Sequence, residues 1–150
     1  MTRRGDYAVR AMLALAERAT TMPTSGRAIA ADMAIPVGFL PRVMADLVGA
    51  GLAASVTGRT GGYVLARPAT DITLLDIIDG IEGNSRRTSC VLRGGPCGRD
   101  GRCQVHDVFF AAQDALLSRL GAITLADLVA TPKTRDDRPI ISPRRPPRRS

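Results

Sequence analysis

The sequence predicts a mainly α-helical fold with one small β-hairpin, and three observations lead to this class. The apolar residues are mostly alanine, leucine, valine and isoleucine, with no tryptophan, two tyrosines and three phenylalanines, which favours small, helix-rich packing. Apolar residues recur at three- and four-residue spacing in successive segments, and two short strand patterns flank the stretch TGRTGG. With 150 residues, the chain has room for one modest domain or for one core with an extension.

Three consecutive helices with short connections are predicted in the N-terminal part of the chain. The first spans about residues 6–19, with Asp6 at the N-cap position and an apolar face in GDYAVRAMLALAERA. Ser25 caps the second helix, RAIAADMA. The third helix, in PVGFLPRVMADLVGAG, begins near Gly38, because Pro41 is tolerated only in a first helical turn.

A two-stranded hairpin is predicted where LAASV and YVLARP flank TGRTGG, whose glycines permit positive φ angles at the turn. Three helices followed by a hairpin is the element order of a winged helix-turn-helix. In that fold the third helix enters the DNA major groove, and the hairpin contacts an adjacent groove or the backbone. The GRTGG stretch is not a phosphate loop, because no Gly-Lys-Ser/Thr helix start follows it.

The C-terminal half of the chain contains three further helical patterns. Thr73 and Asp76 form a capping-box start for TLLDIIDGIEG, and Thr124 caps ITLADLVA. Between them a long helix is predicted over about residues 104–120, with Gly121 as its stop signal. Because this helix has little of its own domain to pack against, we expect a second copy of the chain to cover it in a homodimer. Its apolar stripe consists of Val105, Phe109, Ala112, Leu116 and Leu120.

These patterns divide the chain into four parts. Residues 1–83 form the winged helix-turn-helix region with a linking helix, residues 84–103 a cysteine loop, residues 104–130 the dimerisation helix with a short C-terminal helix, and residues 131–150 a disordered basic tail. The net charge is +7, and the tail has seven basic residues against two acidic ones. A basic front and tail suit a polyanion such as nucleic acid, although a solvated tail needs no partner.

The sequence also bears on the cellular location and on catalysis. The N-terminus lacks the pattern of a secretory signal, and no run of eighteen or more apolar residues occurs. We therefore expect a cytoplasmic protein that has no membrane partner and whose cysteines are reduced. An enzyme is not expected, because the single histidine lies beside the cysteines and no GxSxG, HExxH or CxxC motif occurs.

All three cysteines and the only histidine lie in one glycine-rich segment. Six residues separate Cys90 from Cys97, five separate Cys97 from Cys103, and two separate Cys103 from His106. Structural zinc sites favour paired CxxC or CxxxxC knuckles, which this spacing lacks. Three thiolates on a flexible collar suit an iron–sulfur cluster. A structural zinc site of three cysteines and the histidine, or a disulfide that leaves one cysteine unpaired, remain alternatives.

A cluster requires a fourth ligand, and two residues are candidates. His106 follows Cys103 by one helical turn and can reach the same metal, and Asp6 could supply a carboxylate. Each also has an ordinary structural interpretation, as a polar first-turn residue and as a helix N-cap. Five arginines near the cysteines favour thiolates and offset the charge of an anionic cluster. They are Arg86, Arg87, Arg93, Arg99 and Arg102.

Several motifs occur in a characteristic order, namely DYAVRAM, IPVGFLPRVMADLVGAGL, GRTGGYVLARP, DITLLDIIDGIEG and the cysteine loop. In this order they resemble the IscR/NsrR family of bacterial regulators, and the resemblance extends from about residue 4 to residue 130. It implies a homodimeric winged-helix transcription factor that binds double-stranded DNA at a palindromic operator. It further implies an iron–sulfur cluster whose state controls the affinity for that operator.

The resemblance assigns roles to the candidate ligands. Cys90, Cys97 and Cys103 match the family's cluster cysteines, and His106 matches the histidine that completes a [2Fe-2S] site in cluster-biogenesis regulators. Asp6 matches the aspartate that ligates a [4Fe-4S] cluster from the partner subunit in nitric-oxide-sensing members. Because this chain has both residues, the cluster type stays open.

The resemblance also indicates which residues contact DNA. Arg59 lies in the wing, where family members reach into the minor groove, and the recognition helix carries Phe39, Leu40 and Arg42. Basic residues are expected to contact phosphates or a groove. The expected basic contacts are Arg3, Arg4, Arg42 and Arg59.

The chain departs from the family pattern at two places on this surface. Thr60 stands where glycine is usual in the wing. Val37 and Gly38 replace the polar residues that often read bases early in the recognition helix. The operator sequence of other members therefore does not transfer to this chain.

Overall fold

The computed structural model describes residues 2–18, 22–85 and 105–132. This part of the chain confirms the predicted mainly helical fold with a two-stranded antiparallel hairpin. Cys90, Cys97 and Cys103, the arginines around them and residues 133–150 of the predicted tail lie outside the described residues. The elements are α1 (Arg3–Glu17), α2 (Gly26–Asp32), α3 (Leu40–Gly49), β1 (Ala53–Val56), β2 (Gly62–Leu65), a 3-10 turn (Ala69–Asp71), α4 (Leu74–Glu82), α5 (His106–Ala122) and α6 (Leu125–Ala130).

The first helix begins at Arg3, earlier than the predicted start at Asp6. The N-cap is Thr2, whose hydroxyl accepts a hydrogen bond from the Gly5 N–H at 3.2 Å. Asp6 instead lies in the first turn, where a carboxylate suits the helix dipole, and it accepts a hydrogen bond from Arg10 Nε at 3.0 Å. The apolar periodicity does not predict this first turn, because Arg3 and Arg4 are exposed and do not continue the apolar stripe of the helix.

The third helix begins at Leu40, later than the predicted start near Gly38. A tight turn precedes it, in which the Phe39 N–H donates to the Pro36 carbonyl oxygen at 2.9 Å. Phe39 occupies the N-cap position without a side-chain hydrogen bond to the helix. Val37 therefore lies on the turn that leads into α3 and not in the helix itself.

The core lies between α1, α2, α3, α4 and the start of α6. Two alanines of α1, Ala8 and Ala11, have no exposed surface, so neighbouring helices can approach this helix closely. The approach of α4 to the end of α3 is also tight, because a Cβ atom at Gly80 would lie 2.9 Å from the Ala50 Cβ. The largest fully buried side chains are Met12, Ile29, Val43, Met44, Leu47, Leu52, Ile72, Ile77 and Leu125.

The hairpin is joined to the segment before α2 by backbone hydrogen bonds. Thr24 and Tyr63 exchange two N–H to carbonyl bonds, each 2.9 Å long. A Cβ atom at Gly62 would lie 2.4 Å from the Thr24 carbonyl oxygen, so this position requires glycine. Positive φ angles were the expected reason for the glycines here, and this reason holds for Gly58, with a φ of 118°. Close backbone approach is the reason at Gly62.

The starts of α4 and α6 are linked to each other. The Leu74 N–H donates to the Ile123 carbonyl oxygen at 2.9 Å, and the Leu125 N–H donates to the Ile72 carbonyl oxygen at 2.8 Å. Both helices begin with a complete capping box. The box of α4 was predicted, whereas for α6 only the cap by Thr124 was predicted. The two boxes belong to the matching stretches ITLLD and ITLAD. The sequence analysis did not identify this short repeat, because it gains significance only when its two copies pair.

The long helix α5 continues through the predicted stop at Gly121 and ends at Ala122. The chain leaves the helix at Ile123, whose extended backbone takes part in the pairing with α4. A tertiary contact therefore determines this end, and the glycine does not. Among the residues of α5, only Gln113 is buried, whereas Val108 is 71% and Leu116 is 58% exposed.

Candidate nucleic-acid interface

The N-terminal ends of α1 and α3 meet and form a basic pocket. Its volume is about 290 Å³. We call it the N-terminal pocket, and its lining residues are Thr2, Arg3, Arg4, Tyr7, Phe39, Arg42 and Val43. Three guanidinium groups and two aromatic rings therefore lie around one concave surface. Guanidinium groups suit phosphate oxygens because their planar N–H donors match the geometry of the anion.

An ion pair holds the two helices of this pocket together. Arg4 of α1 donates from Nε to Asp46 Oδ2 of α3 at 2.8 Å, and the same carboxylate forms an ion pair with the Arg4 Nη2 group. The charge of Arg4 is therefore partly neutralised. The contact fixes the start of α1 against α3, which carries the candidate base-reading residues.

Phe39 and Leu40, both predicted to contact DNA, face opposite environments. Phe39 is 56% exposed, and its ring lies against Tyr7 with centroids 6.0 Å apart. Leu40 is 3% exposed and belongs to the core. A DNA contact by the Leu40 side chain does not fit this position, so the expectation for this residue is corrected. The two residues are neighbours in the chain, but Phe39 is the N-cap that precedes α3 and Leu40 is the first residue of the helix. This step of one residue separates the exposed side chain from the buried one.

Exposed arginines without an ion pair mark the surface that a polyanion can reach. Arg3, Arg42 and Arg59 are such residues in the described part of the chain, and Arg59 lies in the loop between the two strands. Arg119 in α5 also meets this description, and so does Arg27, near the start of α2, which the sequence analysis missed. Its position could have indicated a role, because the helix before the recognition helix crosses the DNA backbone in helix-turn-helix proteins.

The two candidate fourth ligands have different surroundings. Asp6 is held by Arg10 through two contacts, 3.0 Å from Nε to Oδ1 and 2.9 Å from Nη2 to Oδ2. Arg10 also donates to the Met33 carbonyl oxygen at 3.4 Å. His106 is the first residue of α5, and its ring stacks on Phe110 with centroids 4.2 Å apart. Within the described residues, no group of three or more His, Cys, Asp or Glu side chains is placed to hold a metal ion.

The segment that leads into the cysteine loop is linked to the start of α1. Glu82, the last residue of α4, accepts a hydrogen bond from the Thr2 backbone N–H, and this bond lowers the pKa of the Glu82 carboxyl below its usual 4.5. Thr2 lies beside Arg3 and Arg4 in the N-terminal pocket.

The described part of the chain contains no helix long and apolar enough to span a membrane.

Comparison with known proteins identifies the family. A family model described as "Rrf2: Iron-dependent Transcriptional regulator" matches residues 1–131. The chain belongs to the Rrf2 family. This result confirms the resemblance to IscR/NsrR regulators that the motifs indicated.

Individual members of the Rrf2 family are similar over most of the chain. The regulator IscR of Enterobacter sp. (strain 638) is 33% identical over 129 residues, which cover 86% of this chain and 78% of that protein. The structure of T. potens IscR matches with a TM-score of 0.69 and 32% identity, covering 87% of this chain and 85% of the other. The structure of CymR, the global cysteine regulator of B. subtilis, matches with a TM-score of 0.76 and 28% identity, covering 87% and 95%. The chain is therefore a winged-helix transcriptional regulator and not an enzyme, as expected.

Proposed function

We propose that this Rrf2-family chain is a homodimeric DNA-binding regulator whose operator affinity is controlled by an iron–sulfur cluster. The DNA-binding part of the proposal rests on one observation. In the described residues, four of the five exposed arginines without an ion pair lie in the winged helix-turn-helix, at the start of α1, α2 and α3 and in the hairpin loop, and the fifth, Arg119, lies in α5. Arg3, Arg27, Arg42 and Arg59 supply the phosphate or groove contacts in this proposal.

Salt dependence tests the arginine contacts directly. Affinity for an operator duplex is measured by fluorescence anisotropy over a range of salt concentrations for the wild type, Arg42→Ala and Arg59→Ala. Each lost phosphate contact weakens binding to all duplexes and reduces the salt slope by about one unit. Arg119→Ala in the last turn of α5 is the matched control. Unchanged slopes in both variants would contradict the proposed interface.

The homodimer is proposed to form through the open face of α5. Leu116 and Val108 are mostly exposed, and a groove between α4 and α5 is lined by apolar side chains including Leu74, Ile78 and Leu120. A two-fold dimer places two recognition helices in successive major grooves about 34 Å apart, which requires a palindromic operator.

The cluster is proposed to be held by Cys90, Cys97 and Cys103 with a fourth ligand from His106 or Asp6. The donor set fits the group, since thiolates are the usual iron–sulfur ligands and imidazole or carboxylate oxygen can complete the site. A bound cluster supplies a group that responds to oxidants, nitric oxide or iron supply. His106 begins α5 three residues after Cys103, whereas Asp6 would first have to leave its ion pair with Arg10.

Anaerobic purification tests the cluster. Absorption and Mössbauer spectra with iron and sulfide counts report both its presence and its nuclearity. His106→Ala and Asp6→Ala, compared with the wild type, identify the fourth ligand by the change in spectrum. A colourless protein that retains one zinc would favour the alternative, a DNA-binding protein with a structural zinc site and no sensing role. Iron and sulfide absent even after reconstitution would overturn the cluster proposal.

One contact and one chain connection offer routes from the cysteine loop to DNA in this proposal. The loop begins after α4, whose last residue Glu82 binds the Thr2 N–H beside Arg3 and Arg4. The loop ends at α5, where the second copy is proposed to dock. A coupling of about 1 to 3 kcal/mol changes affinity about 5- to 150-fold. Variants of the three cysteines that bind operators as tightly as the cluster-loaded wild type would contradict this coupling.

A further inference from the structure

The turn before α3 presents an apolar surface where a DNA-reading helix usually presents polar side chains. Val37 is 64% exposed and Phe39 is 56% exposed. From Pro36 to Pro41 no side chain can donate or accept a hydrogen bond. The first polar side chain of α3 is that of Arg42. Hydrogen bonding to base edges by the start of this helix is thus limited to one residue.

The edges of the bases restrict what an apolar surface can recognise. In the major groove each base pair presents donors and acceptors, and the 5-methyl group of thymine is the apolar feature. The N-terminal residues of a recognition helix are the ones that contact base edges. An apolar side chain at these positions therefore binds favourably against a thymine methyl group. Next to any other base it leaves polar groups of the base edge without hydrogen-bond partners.

Two features of the structure favour DNA over an apolar protein partner at this surface. Arg3 and Arg42, which have no ion pair, line the same pocket as Phe39, and their guanidinium groups suit contact with DNA phosphates. The Phe39 ring is held against Tyr7, with centroids 6.0 Å apart and planes tilted by 55°. A ring held in this way needs little ordering when DNA binds.

We propose that Val37 and Phe39 read thymine 5-methyl groups, so that the operator has A·T pairs where this turn enters the major groove. The inference rests on the proposed DNA-binding function and adds the base that the site recognises. Arg42 contributes the adjacent polar contact. This mode of reading explains how the chain discriminates sequences without the early polar residues that it lacks.

Deoxyuridine substitution tests the proposal without changing any base-pairing group. Duplexes that the purified full-length protein binds are selected from a random pool, and each thymine of the selected operator is then replaced singly by deoxyuridine. Loss of one contacted methyl is expected to weaken binding about fourfold. At thymines that do not lie at the centre of either operator half-site, the replacement is expected to leave the binding affinity unchanged.

Protein variants then assign the methyl contacts to residues. Val37→Ala should weaken binding to the selected operator and abolish the effect of deoxyuridine at one position, and Phe39→Ala should do so at another. Arg42→Ala should weaken all duplexes yet keep the deoxyuridine effect. Val129→Ala, at an exposed position of α6, is the matched control. Because Val37 is mostly exposed, its variant should keep the wild-type thermal midpoint even if Phe39→Ala disturbs the contact with Tyr7.

The outcomes separate this inference from the proposed function. If the protein selects an operator but every deoxyuridine replacement changes affinity by less than twofold, methyl reading is overturned and DNA binding stands. If Val37→Ala and Phe39→Ala keep the full deoxyuridine effect, other residues read the methyls and the assignment fails. If no duplex is enriched, the proposed function fails and the inference fails with it.

Discussion

The two long helices α1 and α5 differ in how many of their residues are buried within the described part of the chain. Seven of the 15 residues of α1 are buried, whereas Gln113 is the only buried one among the 17 residues of α5. Both helices carry apolar residues at three- and four-residue spacing. The same pattern therefore has two outcomes. An apolar stripe shows that a helix has a face to cover, and the packing of other elements shows whether the chain covers it.

The largest expected effect lies on the covered helix. Met12 has no exposed surface in α1, so Met12→Ala should lower the free energy of unfolding by about 2 to 5 kcal/mol. Urea denaturation at a protein concentration too low for self-association measures this change. Leu116→Ala on α5 is the comparison variant and should change stability by no more than about 0.5 kcal/mol. Equal losses would show that the two helices are equally covered within one chain.

The next largest effect tests what covers α5. Leu116→Glu places a charge on the exposed apolar face and should weaken self-association about 100-fold, because a buried unpaired charge is strongly unfavourable in an interface. Light scattering after size exclusion should show the mass falling from twice 15.9 kDa to 15.9 kDa.

A matched variant on the same helix controls for the added charge. Ser118 is exposed and lies two residues beyond Leu116, on roughly the opposite side of α5. Ser118→Glu should leave the mass unchanged. A dimer that survives Leu116→Glu would show that another surface joins the two copies.

A smaller loss of stability is expected at the start of α4, which pairs with the residue that follows α5. Thr73 caps α4, and its hydroxyl accepts a hydrogen bond from the Asp76 N–H at 3.0 Å. Thr73→Ala should cost about 1 kcal/mol of stability, whereas Thr73→Ser should cost little because the hydroxyl is kept. Thermal unfolding of both variants distinguishes loss of the cap from loss of the threonine methyl group.

The smallest expected effect concerns pH. Hydrogen bonds from Thr124 lower the pKa of the Asp127 carboxyl below its usual 3.8. A lowered folded-state pKa means that the contribution is fully present above the unfolded-state value and is lost as the pH falls through the folded-state value. Thr124→Ala should therefore destabilise the protein at neutral pH, and its difference from the wild type should shrink below pH 3.8. A difference that stays constant during acid titration would contradict this role.

Sequence reasoning succeeded where one short segment contains its own cause. The hydroxyls of Ser25, Thr73 and Thr124 cap helices as predicted, because each cap and its N–H partner are three residues apart. The hairpin was likewise predicted from its two strand patterns and its glycines. Reasoning failed at the start of α1, where Thr2 caps an exposed turn, and at the end of α5, where pairing with α4 outweighs Gly121.

The candidate interface was predicted in part for the same reason. The basic residues Arg3, Arg42 and Arg59 could be found from charge and from their places in the element order. The ion pair between Arg4 and Asp46 could not, because it joins residues 42 positions apart in the chain. The exposure of Arg27 also depends on how α2 packs, which composition does not report.

By itself, the sequence determined the helices, the hairpin, the winged-helix order and the grouping of the cysteines, because periodicity, caps and spacing act over a few residues. Only the tertiary structure decided that Leu40 is buried while Phe39 is exposed, that α1 is covered while α5 is open, and that Asp6 pairs with Arg10. These outcomes depend on which elements meet in space. A local pattern states that a surface is apolar or charged, and the fold selects what that surface contacts.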